Sequence, residues 1–330
     1  MPVHIDTASP SLALHRYTVV CATATFVLIF VGGLVTSTGS ALAVPDWPLA
    51  FGKFIPPLTG GIRFEWGHRL AAGAVSVLTL ILAIWTWWRE PRQWVRTTAF
   101  AALGLILLQA GLGGLTVLML LPLALAVAHA AAAQAFFCLM VAMVVFNRRD
   151  FGRLAGNSEV GPPRKRPSLA LLATLTTVAI YTQILVGAVM RHLGAGLAIP
   201  DFPMSYGRLV PPFYSFAVGI NFAHRCGALV VTLLISWTSV RAIHLYSAER
   251  PLRNDAILIL ALVAMQITLG ALTIWSGRAV LPTTAHVATG AALLGASIAL
   301  TIRAYELAAR SRTAELPLST LWLSRRQVRA

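Results

Sequence analysis

A carboxylate and an imidazole three residues apart, Glu65 and His68, stand with Arg69 at the head of a long apolar run. Residues three apart share a helix face. Both groups fall where such a helix would enter a bilayer. Ionisable groups in a membrane cost ~2.5–3.5 kcal/mol each at its centre, so they mark candidate functional positions. The chain repeats the arrangement as Asn221, His224 and Arg225: the His-Arg pair returns and the carboxylate does not. A second pair of histidines, His129 and His286, returns at nearly the same offset.

The elements that carry these residues follow from composition. The chain has 330 residues, of which 57% are hydrophobic and only 11% charged. A soluble domain carries about 25% charged residues, so this is an all-α polytopic membrane protein. Its net charge of +15 could suggest a nucleic-acid partner. The basic residues, all Arg except Lys53 and Lys165, instead sit in short segments between apolar runs. That pattern is topology signal and argues against nucleic acid. Cys21, Cys138 and Cys226 have unrelated spacings and suggest neither a disulfide framework nor a zinc site. The first apolar run has no small-residue cleavage site placed for a signal peptide and reads as a retained span.

Eight apolar runs, roughly 17–37, 66–88, 97–117, 122–146, 168–190, 222–244, 255–276 and 280–303, reach the ~17–25 residues that cross a bilayer. Arginines concentrate at 88–97, in the centre, at 241–255 and in the tail, while the alternate segments are near-neutral. The positive-inside rule then predicts a cytoplasmic membrane protein with both termini in the cytoplasm. Residues 147–167, polar, basic and rich in Gly and Pro, read as a linker. It divides an N-terminal four-helix bundle, 1–146, from a C-terminal one, 168–303, with a cytoplasmic tail over 304–330.

The halves are repeats. Val31-Gly32-Gly33 matches Val186-Gly187-Ala188, and Val44-Pro45-Asp46-Trp47-Pro48 matches Ile199-Pro200-Asp201-Phe202-Pro203. Gln109-x-x-Leu112-Gly113 matches Gln266-x-x-Leu269-Gly270. Each half holds an even number of spans, so a pseudo-two-fold axis along the bilayer normal is expected.

The four repeated histidines fall at similar outer depths, two per bundle. His129, for example, lies roughly two turns, ~10 Å, past Pro122. One imidazole from each of two helices is what a bis-histidine haem site needs: an axial nitrogen on each porphyrin face. A lone intramembrane His reads more simply as a polar helix contact, but four at matched depth and repeated spacing do not. Zinc lacks Cys or carboxylate ligands here. A di-iron carboxylate site lacks its second Glu-x-x-His.

The halves differ where chemistry would differ. A carboxylate can take up or release protons and an amide cannot, so the N-terminal bundle is expected to hold the reacting species. The C-terminal bundle then holds a permanent redox cofactor. The lesser alternative for Glu65 is an interfacial carboxylate paired with Arg69 or Arg63. Arg69 and Arg225 suit haem propionates, or interface anchors. Gln109 and Gln266 read as helix–helix hydrogen-bonding residues. The aromatics of the Pro-Asp-Trp-Pro and Pro-Asp-Phe-Pro loops suit a cap over a cofactor or packing at the membrane surface. His4, His15, His192 and His244 lack repeat partners.

Over nearly the whole chain these features resemble the haem A synthase family. The resemblance rests on the duplicated eight-span layout, Glu65-x-x-His68-Arg69, the loop from Thr38 to Pro48 and the four histidines. It implies an oxidoreductase of monooxygenase type that converts a ring methyl of haem O to the formyl group of haem A, for cytochrome oxidase maturation. It implies haem b (iron) held by His224 and His286, substrate haem O engaged by His68 and His129, and catalysis dependent on Glu65. Haem O synthase and a cytochrome oxidase subunit are the protein partners it suggests; the electron donor stays open. Many members carry a cysteine pair in an outer loop, and this chain has none there. The alternatives are a non-catalytic di-haem b electron-transfer cytochrome and a haem-transfer protein.

Overall fold

The computed structural model describes residues 11–149, 151 and 168–314. His4, most of the expected linker (150 and 152–167) and the end of the tail (315–330) lie outside the described residues. Among the described residues the chain forms eight α-helices and no named strand: α1 (Leu12–Ser37), α2 (Ile62–Arg89), α3 (Gln93–Leu118), α4 (Leu123–Phe146), α5 (Leu169–His192), α6 (Phe216–Leu245), α7 (Arg250–Trp275) and α8 (Val280–Ala314). All eight are long and apolar enough to cross a membrane. Helices are required there because lipid cannot satisfy an open backbone.

The packing closes each set of four. Helix α1 touches α2 and α4, and α3 touches both of those; α5 to α8 close in the same cyclic order. One apolar core gathers Leu14, Leu82, Phe136, Met140 and Met143, and another gathers Ile180, Ile235, Leu252, Ile259 and Leu294. The sets meet along α1–α8, α4–α8 and α4–α5. Small residues permit that approach. A Cβ on Gly295 of α8 would stand 2.9 Å from Phe137 Cε1 of α4.

Six helices outrun the apolar runs that predict them; α1, α3 and α7 each begin about a turn early. Helix α2 begins at Ile62 and α6 at Phe216, each a turn or more early. The reason is local. The Gly61 carbonyl accepts from the Phe64 and Glu65 N–H groups, and the Ser215 hydroxyl caps Val218 N at 3.3 Å. Polar residues can begin a helix once its first N–H groups are satisfied. His68 and His224 therefore lie inside their helices rather than at the start. Helix α8 continues through Ala314, so the tail expected from 304 begins as helix. Arg303 is held there by Asp255 and by the Pro251 carbonyl.

Two long loops, 38–61 and 193–215, sit at one end of the molecule and share one construction. Asp46 accepts from Phe51 N at 2.7 Å and Gly52 N at 2.8 Å; Asp201 accepts from Tyr206 N and Gly207 N at the same two distances. Phe51 (φ 54°) and Tyr206 (φ 55°) both adopt left-handed backbone, as do Gly52 and Gly207 (both φ 68°). The Trp47–Pro48 and Phe202–Pro203 bonds are both cis. The short α3–α4 turn uses left-handed Leu120 and Leu121, and the α7–α8 turn uses Gly277 and Arg278 in their places.

The Gly52 amide first, then that of Phe51, holds the Asp46 carboxyl below its ordinary 3.8. A carboxyl lowered on folding stabilises the loop above the ordinary value and loses that contribution as pH falls through the lowered one. Amide exchange at Phe51 and Gly52 should therefore stay slow at pH 5 and quicken only below about pH 3.8. Asp46→Ala should make both amides exchange fast at either pH. Slow exchange in that variant would show that the carboxylate does not order the loop.

Candidate functional site

Each of the four repeated histidines projects from an even-numbered helix against a glycine on the helix before it. A Cβ on Gly32 of α1 would stand 2.9 Å from His68 Cε1. The same construction gives 3.0 Å from Gly113 to His129, 3.0 Å from Gly187 to His224 and 3.1 Å from Gly270 to His286. The first is closer than real Cβ contacts come and the other three are tighter than nearly all of them, so each imidazole edge crowds the space where a side chain would stand. The four positions lie about two turns, ~10 Å, inside the loop-side starts of their helices. His68 lies within electrostatic reach of His129, and His224 within reach of His286. The structure thus brings the histidines together in the two pairs that the repeat suggests.

Glutamines support three of these contacts. Gln109 Nε2 donates to the His129 carbonyl at 2.9 Å, from α3 to α4. Gln183 Nε2 donates to the His224 carbonyl at 2.7 Å and lies 2.9 Å from His224 Nδ1. Gln266 Nε2 lies 3.4 Å from His286 Nε2, while His286 Nδ1 is 3.1 Å from the Gln266 carbonyl. Sequence reasoning found Gln109 and Gln266 and passed over Gln183. The signal was present: each Gln stands four residues before its glycine, one turn away on the same helix face. At the fourth place, before Gly32, stands Leu28. The four glycines were visible as repeats, but their contact with the imidazoles was not.

Glu65 is buried at 4% exposure, and both its oxygens are engaged. Oε2 accepts from Val44 N at 2.8 Å, and Oε1 pairs with Arg69 Nη2 at 2.6 Å. Arg69 also donates to the carbonyls of Asp46, Leu49 and Val44. Arg225 does the equivalent work with the carbonyls of Met204 and Ile199 and with Asn221 Oδ1. Both guanidinium groups therefore clamp the long loops onto the helices. Asn221 reverses the polarity of Glu65, donating to the Ala195 and Gly196 carbonyls. Trp47 lays its indole against Gly114, beside the Gly113 that cradles His129. Its counterpart Phe202 packs edge-on against Trp275, ring centroids 6.2 Å apart. His192, without a repeat partner, nevertheless ends α5 within electrostatic reach of His129.

Paired imidazoles on facing helices, each in a glycine notch, suit a flat group ligated from both faces. The unpaired atoms fit that reading. His68 Nδ1 and His129 Nδ1 are buried without a hydrogen-bond partner, and so are Gln109 Oε1 and Gln266 Oε1. A buried polar atom left unpaired is costly and calls for an occupant or a rearrangement.

The fold and these pairs define a polytopic helical membrane protein with two histidine-lined sites at one end. A family model described as cytochrome oxidase assembly protein (COX15-CtaA) matches residues 15–61 and 62–298. The chain belongs to that family. A protein from Symbiobacterium thermophilum named Heme A synthase is 33% identical over 250 residues, 73% of this chain and 79% of that protein. Another of the same name from Shouchella clausii is 30% identical over 278 residues, 81% of this chain and 89% of its own length. A third, from Bacillus licheniformis, is 33% identical over 239 residues, 70% of this chain and 73% of that one.

Proposed function

We propose that the chain is a haem A synthase of the cytoplasmic membrane, with both termini in the cytoplasm. It oxidises a ring methyl of haem O to formyl by monooxygenase-type chemistry. The observation that carries this reading is the duplicated His–Gly cradle with a carboxylate beside only one copy. His224 and His286 would hold haem b in the α5–α8 bundle, and that group would supply electrons to the site. His68 and His129 would hold substrate haem O between α2 and α4. Membership of the family and the named relatives support haem as the ligand class.

The chain's own residues do the rest. The glycine notches fix the imidazole edges, so both rings present their nitrogens at a set depth. Trp47 and the Arg69-clamped loop cover the N-terminal pair and limit water entry. Methyl hydroxylation with dioxygen as oxidant consumes two electrons and two protons and forms water, and the Glu65 carboxyl, the one titratable acid beside the pair, would relay those protons. Asn221 cannot titrate, so the C-terminal pair keeps its ligand chemically unchanged.

One observation favours a non-catalytic di-haem cytochrome instead: Val44 N and Arg69 engage both Glu65 oxygens, as a structural carboxylate would be engaged. Expression in cells that make haem O but lack their own synthase separates the readings. Haem extracted from those membranes should contain the formyl product. Only haem B and unreacted haem O would leave the cytochrome or haem-transfer reading standing.

A further inference from the structure

The two histidine sites differ in charge on their loop side. Arg191 lies four residues past Gly187 on α5, one turn beyond the notch of His224 and on the same helix face. Its Nη2 donates to the Gly33 carbonyl at 3.0 Å and to Ser37 Oγ at 2.8 Å, both on α1. Ser37 Oγ also accepts from Thr284 Oγ1 at 2.9 Å, and Thr284 stands two residues before His286 on α8. Arg191 therefore sits beside the loop-side approach to both C-terminal histidines, within electrostatic reach of His286. Its Nε and Nη1 donate to nothing among the described residues.

A second guanidinium joins it. Arg278, left-handed in the α7–α8 turn (φ 69°), lies within electrostatic reach of Arg191. A Cβ on Gly196 would stand 3.6 Å from Arg278 Cδ. The Gly196 carbonyl is held in turn by Asn221, three residues before His224. Among the described residues no carboxylate pairs with either arginine. The repeat supplies the comparison. At the N-terminal site the places of Arg191 and Arg278 belong to Thr36 and Leu121, and neither carries charge. Thr36 turns its hydroxyl back onto the Gly32 carbonyl of its own helix.

Two neighbouring cations without an acid repel each other, and an anion between them relieves that repulsion. Guanidinium groups match carboxylates in shape and charge. Arg69 and Arg225 are already engaged with loop carbonyls. We infer that Arg191 and Arg278 form a carboxylate-binding fork for the propionate edge of the C-terminal haem, a contact that the N-terminal site does not offer. The inference rests on the haem reading above. It separates retention from exchange: both sites offer paired imidazoles, and only the C-terminal one adds cations that keep its ligand in place. A lipid phosphate at the membrane surface is the other anion such a fork suits.

Haem loss to apomyoglobin tests this, followed at the signal that His224→Ala removes. The full-length protein is loaded either with haem b or with haem b dimethyl ester, whose propionate charges are masked. Arg191→Gln and Arg278→Gln should each speed the loss of haem b about tenfold or more, the scale of one lost hydrogen bond between charged groups. Loss of the ester should be fast in the parent and change less than about twofold in either variant. The signal that His68→Ala removes should be unaffected. Arg191 also ties α5 to α1, so if Arg191→Gln does not accumulate, Arg278→Gln in its exposed turn decides the matter. Parental retention of haem b, or equal acceleration for haem b and its ester, would overturn the inference and leave the haem reading intact. Parental retention with less bound phospholipid phosphorus would overturn it in favour of a lipid headgroup. A colourless parent would remove both the inference and the haem reading.

Discussion

Glu65→Gln should leave both haems bound and abolish formation of formyl-haem. The amide keeps the carboxylate's shape, and its oxygen can still accept from Val44 N, where Glu65 Oε2 now accepts at 2.8 Å. It loses the charge paired with Arg69 and cannot carry a proton. Positioned acid–base groups contribute roughly 10²–10⁴-fold, so product should fall by about a hundredfold or more. The carboxylate is also a loop brace, and the variant must be read beside Arg69→Leu. That change removes the ion pair and three carbonyl contacts while keeping the acid. If the acid matters for proton transfer, Arg69→Leu retains more activity than Glu65→Gln despite the larger structural loss. Parental formyl-haem in Glu65→Gln would remove the role given to this residue.

Gly187→Ala should strip haem from the C-terminal site without unfolding the protein. Two effects oppose each other. Alanine in a helix interior gains about 1 kcal/mol over glycine, while an added methyl in a packed contact costs ~1–3 kcal/mol. Global stability should therefore change little. The imidazole is displaced, because the new Cβ would stand 3.0 Å from His224 Cε1. Haem affinity should fall about tenfold or more. Gly270→Ala should act on the same haem through His286, and Gly32→Ala and Gly113→Ala on the other. Gly111 and Gly73 supply controls: nothing lies within 4 Å of a Cβ at either, so alanine there should leave haem content unchanged. A Gly187→Ala protein with the parental spectrum would mean that the notch does not position His224.

Much of this arrangement is legible in the sequence, for identifiable reasons. The eight spans follow from hydrophobic run length, which the bilayer turns into helices. The histidine pairs follow from an internal repeat, which supplies its own comparison: His68 with His224, His129 with His286. Helix starts are less legible, because the apolar run ends before the helix does. Arg63 and Glu65 in α2 and Ser215 before α6 belong to polar turns that hydropathy discounts. The arginines were ambiguous because a fork of donors suits propionates and backbone carbonyls equally; only the loop path shows Arg69 and Arg225 facing carbonyls. Gln183 was missed because its pattern, Gln one turn before Gly, becomes meaningful only once the glycine is seen against an imidazole.

Two porphyrins, each held by one histidine pair, underlie the proposed chemistry. Iron and haem content of the purified chain, with electron paramagnetic resonance of the oxidised form, tests it most directly. The expected result is about two low-spin, bis-imidazole haems per chain. His224→Ala or His286→Ala should remove one signal, and His68→Ala or His129→Ala should alter only the other. A colourless protein, or a single haem lost equally in all four variants, would contradict it.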